Sequence, residues 1–123
     1  DLNYFQLNDV ISLVDKHNIS GIVATNSTNS RDELSIKERE INKIGLGGLT
    51  GKPIASKSTE MIRYISKQSS GKIPIIAVGG IMSSDDALDK IEAGASLIQL
   101  YTGFVYEGPI LVKKINKAIL QKA

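Results

Sequence analysis

One apolar run decides the fold, and it reads Ile75-Ile76-Ala77-Val78-Gly79-Gly80-Ile81. A short run of β-branched and small apolar residues is typical of a strand buried on both faces, as in a parallel sheet covered by helices. The run leads into a glycine pair, and residues 83–86 (Ser-Ser-Asp-Asp) then have the composition of a helix start. Amide N–H groups and a helix dipole favour negative charge at such a turn. The pattern predicts a phosphate at Gly79 and Gly80.

The same alternation of strand and helix extends in both directions along the chain. Apolar periodicity predicts strands over residues 21–25 and 96–101. It predicts helices over residues 7–16, 55–70, 83–93 and 109–121. Asn8 or Asp9 is the expected cap of the first helix. Ser35 and Glu38 have the spacing of a capping box for a short helix ending at Ile44.

This order implies a parallel sheet with right-handed crossovers. Three strands are few for an isolated sheet of that kind, so the order favours an α/β fold that is the C-terminal half of a (β/α)₈ TIM barrel. In that fold a phosphate site commonly follows the last two strands. Here those strands end at Gly79-Gly80 and at Tyr101-Thr102, which strengthens the phosphate prediction.

Two loops carry residues suited to binding. Residues 25–30 (Thr-Asn-Ser-Thr-Asn-Ser) are six consecutive hydrogen-bonding side chains. They fit either an ordinary polar loop or a substrate cradle at the end of a barrel strand, and composition leaves both interpretations open. Residues 45–53 hold four glycines in seven positions, but they match neither the dinucleotide spacing nor the P-loop spacing.

Composition excludes several functional classes. The chain has 123 residues, a net charge of +2 and no cysteine, which argues against nucleic-acid binding, disulfides and thiolate metal sites. A single histidine excludes a histidine-rich metal centre, so no metal site is predicted. The chain does not begin with methionine, and we expect it to be part of a longer protein.

Several motifs in register resemble one enzyme family. They are Thr25-Asn26-Ser27-Thr28, the run Gly47-Gly48-Leu49-Thr50-Gly51-Lys52-Pro53, Ser58-Thr59, and residues 75–103 with their paired glycines and Ala93-Gly94-Ala95. The chain resembles the C-terminal part of dihydroorotate dehydrogenase, specifically the quinone-dependent class 2 enzymes. The resemblance implies that residues 1–123 are the C-terminal portion of a single FMN-binding (β/α)₈ barrel domain whose N-terminal half lies outside this chain.

The resemblance also implies an activity. Such an enzyme oxidises dihydroorotate to orotate in pyrimidine (UMP) synthesis, passes a hydride to FMN and passes the electrons to a quinone. It implies a peripheral location on the inner membrane, on the cytoplasmic side in a bacterium and in mitochondria in a eukaryote, with no nucleic-acid partner. The membrane would be reached through an N-terminal segment outside this chain.

The resemblance assigns roles residue by residue. It places Asn26 and Ser27 on the pyrimidine, with serine where the family often has threonine. It places Thr25, Gly51 and Gly80 against the flavin. Tyr101 and Thr102 supply backbone amides to the phosphate, and Gly79 and Gly103 shape the turn.

No catalytic residue is assigned within this chain. In the class 2 family the base is a serine on an earlier loop, and the resemblance implies a flavin-contacting lysine on a strand that we expect to end just before Asp1. We therefore expect the isolated 123-residue chain to be inactive. Two alternatives stay open: a class 1 dihydroorotate dehydrogenase or another FMN- or phosphate-binding barrel enzyme, and a non-catalytic phosphate-binding half-barrel that self-associates through its open sheet edges.

Overall fold

Three short parallel strands and six α-helices form the computed structural model, which describes residues 1–32 and 34–122. In chain order the elements are α1 (Tyr4–Lys16), β1 (Ile22–Ala24), α2 (Glu38–Ile44), a 3₁₀ turn (Lys52–Ile54), α3 (Ala55–Gln68), β2 (Ile75–Ala77), α4 (Ser84–Glu92), β3 (Leu97–Ile98), α5 (Thr102–Glu107) and α6 (Ile110–Lys122). The sheet order is β1-β2-β3. Strands adjacent in the chain are therefore adjacent in the sheet, with helices in each crossover, as in a sector of a barrel.

The two faces of the sheet differ. Ile75 and Ala77 are fully buried and pack with Ile62 and Ile65 of α3 in the main core. Because side chains alternate along a strand, Ile76 and the residues paired with it on the neighbouring strands form a row on the other face. That row pairs Val23 with Ile76 and Ile76 with Leu97, and its outer members are more than half exposed.

Two helices begin differently from the prediction. Helix α1 begins three residues earlier than expected, and neither Asn8 nor Asp9 is its cap. Asn3 accepts from the amide of Gln6, and the Gln6 side chain accepts from the amide of Asn3. This capping box was missed because Tyr4 and Phe5, which follow it, are exposed and add nothing to the apolar pattern.

Helix α2 ends at Ile44 as predicted, but Lys37 is its N-cap and no side chain caps it. The predicted capping box of Ser35 with Glu38 is therefore wrong. Helix α5 was not predicted. It spans six residues and contains Gly103, and its apolar residues from Phe104 to Tyr106 are exposed, so no apolar periodicity marks it. Among the described residues no helix is long and apolar enough to cross a bilayer.

Candidate functional site

An open cleft of about 450 Å³ lies beyond the carboxyl ends of the three strands. Its lining contains every residue predicted to bind substrate or flavin: Thr25, Asn26, Ser27, Gly51, Gly79, Gly80, Tyr101 and Thr102. Gly103 also lines it. Residues from four separate loops thus meet at one edge of the sheet, because parallel strands deliver their carboxyl ends to the same side.

Hydrogen bonds beyond β1 and β2 hold the floor of this cleft. The Thr25 amide donates to the Val78 carbonyl at 2.6 Å, and the Val78 amide donates to the Ala24 carbonyl at 2.6 Å. The hydroxyl of Ser58, which is buried, donates to the same Val78 carbonyl at 3.0 Å. Strand pairing therefore continues up to the glycine pair, and α3 is tied to it from behind.

The polar loop after β1 and the glycine-rich loop are joined to each other. Thr28 and Leu49 exchange two backbone hydrogen bonds of 3.1 and 2.7 Å. The Arg31 guanidinium donates to the Gly47 carbonyl. A Cβ at Gly48 would lie 2.0 Å from the Ser27 hydroxyl oxygen. Glycine therefore lets the second loop lie directly on the first, and both enter the cleft wall.

Asp1 anchors the polar loop from the opposite side. Its carboxylate accepts from the Thr28 hydroxyl at 2.5 Å, from the Asn29 amide at 2.7 Å and from the Lys57 ammonium at 2.9 Å. Asn26 lies between this anchor and the cleft. Its carboxamide oxygen accepts from the Ser27 amide at 2.8 Å. Within residues 1–32 and 34–122 the Asn26 NH₂ group has no acceptor, so it can donate toward a bound molecule.

The start of helix α4, which was expected to contribute to the predicted phosphate site, is occupied by its own side chains. Helix α4 begins with Ser83 and Asp86 capping each other: the Asp86 amide donates to the Ser83 hydroxyl, and the Asp86 carboxylate accepts from the Met82 amide. Asp85 and Asp86 also place negative charge at this helix start. The first turn of α4 is therefore already neutralised, and it is a poor place for a phosphate.

Unpaired amides lie instead on the two loops that face each other. Within residues 1–32 and 34–122, the amide N–H groups of Gly79, Gly80 and Tyr101 have no acceptor. Thr102 begins α5, so its amide has no partner within the helix. Tyr101 is 73% exposed, so its backbone amide is accessible at the edge of the cleft. These donors are the ones an anion needs.

Gly48, Thr50 and Gln99 are among the lining residues to which the sequence assigned no role. The Thr102 hydroxyl donates to the Thr50 hydroxyl at 3.0 Å, and a Cβ at Gly51 would lie 3.0 Å from the Thr102 methyl. The glycine-rich loop therefore contacts the α5 loop as well. Gln99 is a polar residue within an otherwise apolar strand pattern, and that is the sequence signal by which it could have been found.

Lys90 of α4 is a fully buried lysine behind the cleft. Its ammonium donates to the Ala55 carbonyl at 2.8 Å and to the Thr59 hydroxyl at 2.6 Å. Burial lowers the pKa of Lys90 from 10.5 to about 8, against the opposing influence of the Asp86 and Asp89 charges. The sequence did not predict that this lysine is buried. Helical periodicity alone does not assign its position to the buried face of α4.

The lowered pKa of Lys90 predicts how stability depends on pH. Between pH 8 and pH 10.5 the unfolded chain holds a proton that the folded chain has released, so the free energy of unfolding should rise with pH through this window. We expect a rise on the order of 1–3 kcal/mol in the full-length protein. Urea unfolding at several pH values measures it. If the free energy of unfolding of Lys90→Met rises with pH by the same amount, groups other than Lys90 cause the rise.

Comparison with known proteins identifies the family. The family model described as "Dihydroorotate dehydrogenase" matches residues 1–122. The proteins named "Dihydroorotate dehydrogenase (quinone)" from Christiangramia forsetii and Nostoc punctiforme are 52% and 48% identical to this chain over 99% of its length. The chain covers 35% and 34% of those relatives, so it spans about a third of their length.

A solved structure supports the same family assignment. The crystal structure of ligand-free DHODH from Eimeria tenella superposes with a TM-score of 0.87 at 33% identity, over 98% of this chain and 33% of that one. The predicted α/β barrel architecture is thereby confirmed. Because the family model extends over nearly the whole chain and a solved relative superposes on it, this chain belongs to the dihydroorotate dehydrogenase family.

Proposed function

We propose that this chain is the C-terminal part of a quinone-dependent dihydroorotate dehydrogenase of class 2. The whole protein then oxidises dihydroorotate to orotate in pyrimidine synthesis, with FMN as cofactor and a quinone as electron acceptor. One observation carries the proposal: unpaired backbone amides and the Asn26 carboxamide line the same cleft. The word "quinone" in the names of the relatives supports class 2 over class 1.

The cleft residues fit FMN. Bound FMN supplies the redox chemistry, since it accepts a hydride from one substrate and gives up electrons to another. Gly79 and Gly80 adopt φ values of +108° and +74°, which favour glycine and turn the backbone sharply. Their amides, with those of Tyr101 and Thr102, are the donors we assign to the phosphate. Gly51, which is buried at the cleft, is assigned to the flavin ring.

The substrate side is assigned to the polar loop. Asn26 donates from its NH₂ group to a pyrimidine carbonyl, and Ser27 offers a hydroxyl next to it. Thr25 lies between this loop and Gly79, where a Cβ on the glycine would approach the Thr25 hydroxyl to 3.0 Å. We therefore assign Thr25 to the junction of substrate and flavin. The proton is removed by a base, which we expect to be a serine outside this chain.

The site of action is assigned to a membrane surface. A quinone is a lipid-soluble acceptor, so we propose a peripheral enzyme of the inner membrane, on the cytoplasmic side in a bacterium and in mitochondria in a eukaryote. The contact with the membrane and the quinone would come from residues outside this chain. No nucleic-acid partner is proposed.

Anaerobic flavin spectroscopy tests the proposal. We expect the full-length protein to carry FMN, to lose its absorbance near 450 nm, about the usual flavin maximum, when dihydroorotate is added, and to regain it when a short-chain quinone follows. The isolated 123-residue chain should catalyse neither step.

Three results would contradict the proposal. A full-length protein whose flavin is not reduced by dihydroorotate would exclude the activity. Reduction without reoxidation by quinone would exclude class 2. Turnover by the isolated chain would show that it contains a base that we have not assigned.

A further inference from the structure

The buried Lys90 is held by hydrogen bonds and not by a salt bridge. Its two hydrogen-bond acceptors, the Ala55 carbonyl and the Thr59 hydroxyl, are both neutral. In the described part of the chain no carboxylate lies within salt-bridge distance of it. Asp86 and Asp89 line a surface pocket together with Lys90 and stabilise its charge from a distance, but the effect of burial is larger, so the charge is still costly to bury. An apolar side chain of similar length would fill the space without that cost, so packing alone does not account for a lysine here.

Both hydrogen-bond acceptors of Lys90 lie at the start of α3. Ala55 and Thr59 form the first turn of α3, and the Thr59 hydroxyl also donates to the Ala55 carbonyl at 2.9 Å. The Lys90 ammonium therefore completes a three-membered network with one helix start. Because these bonds join α4 to α3, they set the position of that start relative to the β2-α4 connection.

Ala55 is also the residue against which the glycine pair packs. A Cβ at Gly80 would lie 2.2 Å from the Ala55 Cα and 2.5 Å from its amide nitrogen. In addition, the Ala55 amide ends the 3₁₀ turn by donating to the Lys52 carbonyl, and Gly51 precedes that turn. The backbone of Ala55 thus lies directly behind Gly80 and is joined to Gly51 through the short 3₁₀ turn. Lys90 itself is not part of the cleft lining.

We propose that Lys90 is a positioning residue for the phosphate end of the flavin site: its hydrogen bonds hold the first turn of α3 against Gly80 and thereby orient the amides of Gly79 and Gly80. The inference rests on the proposed function, since it requires that the cleft bind FMN. It differs from a purely structural role because it affects one end of the cofactor more than the other.

The test compares two flavins that differ only in the phosphate. Binding of FMN and of riboflavin to the full-length apoprotein is measured by quenching of flavin fluorescence, for the wild type, Lys90→Met and Lys67→Met. Lys67 is an exposed lysine of α3 and is the matched control. We expect Lys90→Met to weaken FMN binding about tenfold and riboflavin binding less than about threefold, whereas Lys67→Met changes neither.

A second variant covers the case in which Lys90→Met does not fold. Thr59→Val removes one acceptor of Lys90 and keeps the Ala55 carbonyl. We therefore expect the preference for FMN over riboflavin to fall about threefold. Equal weakening of both flavins in these variants, or weakening of neither, would overturn the role of Lys90. A wild-type protein that binds FMN no better than riboflavin would overturn the phosphate assignment itself, and with it the proposed function.

Discussion

Gly80→Ala is expected to destabilise the full-length protein by about 3 kcal/mol and to remove most of its FMN. The new Cβ would lie 2.2 Å from the Ala55 Cα, and backbone atoms of a helix start cannot move aside as a flexible side chain can. The φ of +74° at this position adds the cost of left-handed backbone, about 1 kcal/mol. Urea unfolding and the flavin content of the purified variant measure both effects.

Gly71→Ala is the matched control for this prediction. Gly71 has a similar φ of +70°, but a Cβ there would meet nothing within 4 Å. Its substitution should therefore cost only the backbone term, about 1 kcal/mol, and leave FMN bound. Equal destabilisation by the two substitutions would show that contact with Ala55 does not explain Gly80. The comparison matters because the resemblance alone assigns Gly80 to the cofactor, whereas the structure also requires glycine there for packing.

Asn26→Ala is expected to lower kcat/KM for dihydroorotate roughly 10- to 100-fold while FMN stays bound at normal stoichiometry. Substrate bound in the cleft would bury a carbonyl against the Asn26 NH₂ group, and the variant would leave that carbonyl unpaired. Steady-state kinetics with a quinone acceptor, together with the flavin absorbance of the purified enzyme, measure the two quantities separately.

Two further variants show which property of Asn26 matters. Asn26→Asp keeps an oxygen for the Ser27 amide but removes the NH₂ donors, so it should be at least as damaging as Asn26→Ala. Asn29→Ala changes the same loop outside the cleft, where the residue contacts Asp1 through its backbone amide, and should leave kcat/KM within about twofold. Full activity in Asn26→Asp would remove the donor role assigned to Asn26.

Much of the fold followed from local pattern. The apolar run at residues 75–81 and the two shorter apolar runs were correctly predicted as strands, and helices are present in all four of the longer segments predicted to be helical. The boundaries were less accurate, because caps such as Asn3 depend on hydrogen bonds that apolar periodicity does not report. Helix α5 was missed because its apolar side chains are exposed and therefore do not show the periodicity of a buried helix face.

The sequence by itself determined that strands alternate with helices, and hence which residues lie at the carboxyl edge of the sheet. That is why Gly79 and Tyr101, which are far apart in the chain, could be assigned to one site, whereas Asn26 was assigned to it only through the family resemblance. The physical reason is that short apolar runs, buried on both faces, pair as parallel strands. Right-handed crossover connections then leave little freedom in where the carboxyl ends of these strands lie.

Only the tertiary structure decided how the cleft is supported. It showed that α4 caps its own start, that Gly80 packs on Ala55, and that a buried Lys90 joins α4 to α3. Each of these depends on the approach of residues from different elements to within a few ångströms. Local composition and periodicity carry no record of such distances, so which amides stay free for a ligand and which are already paired emerges only when the chain is folded.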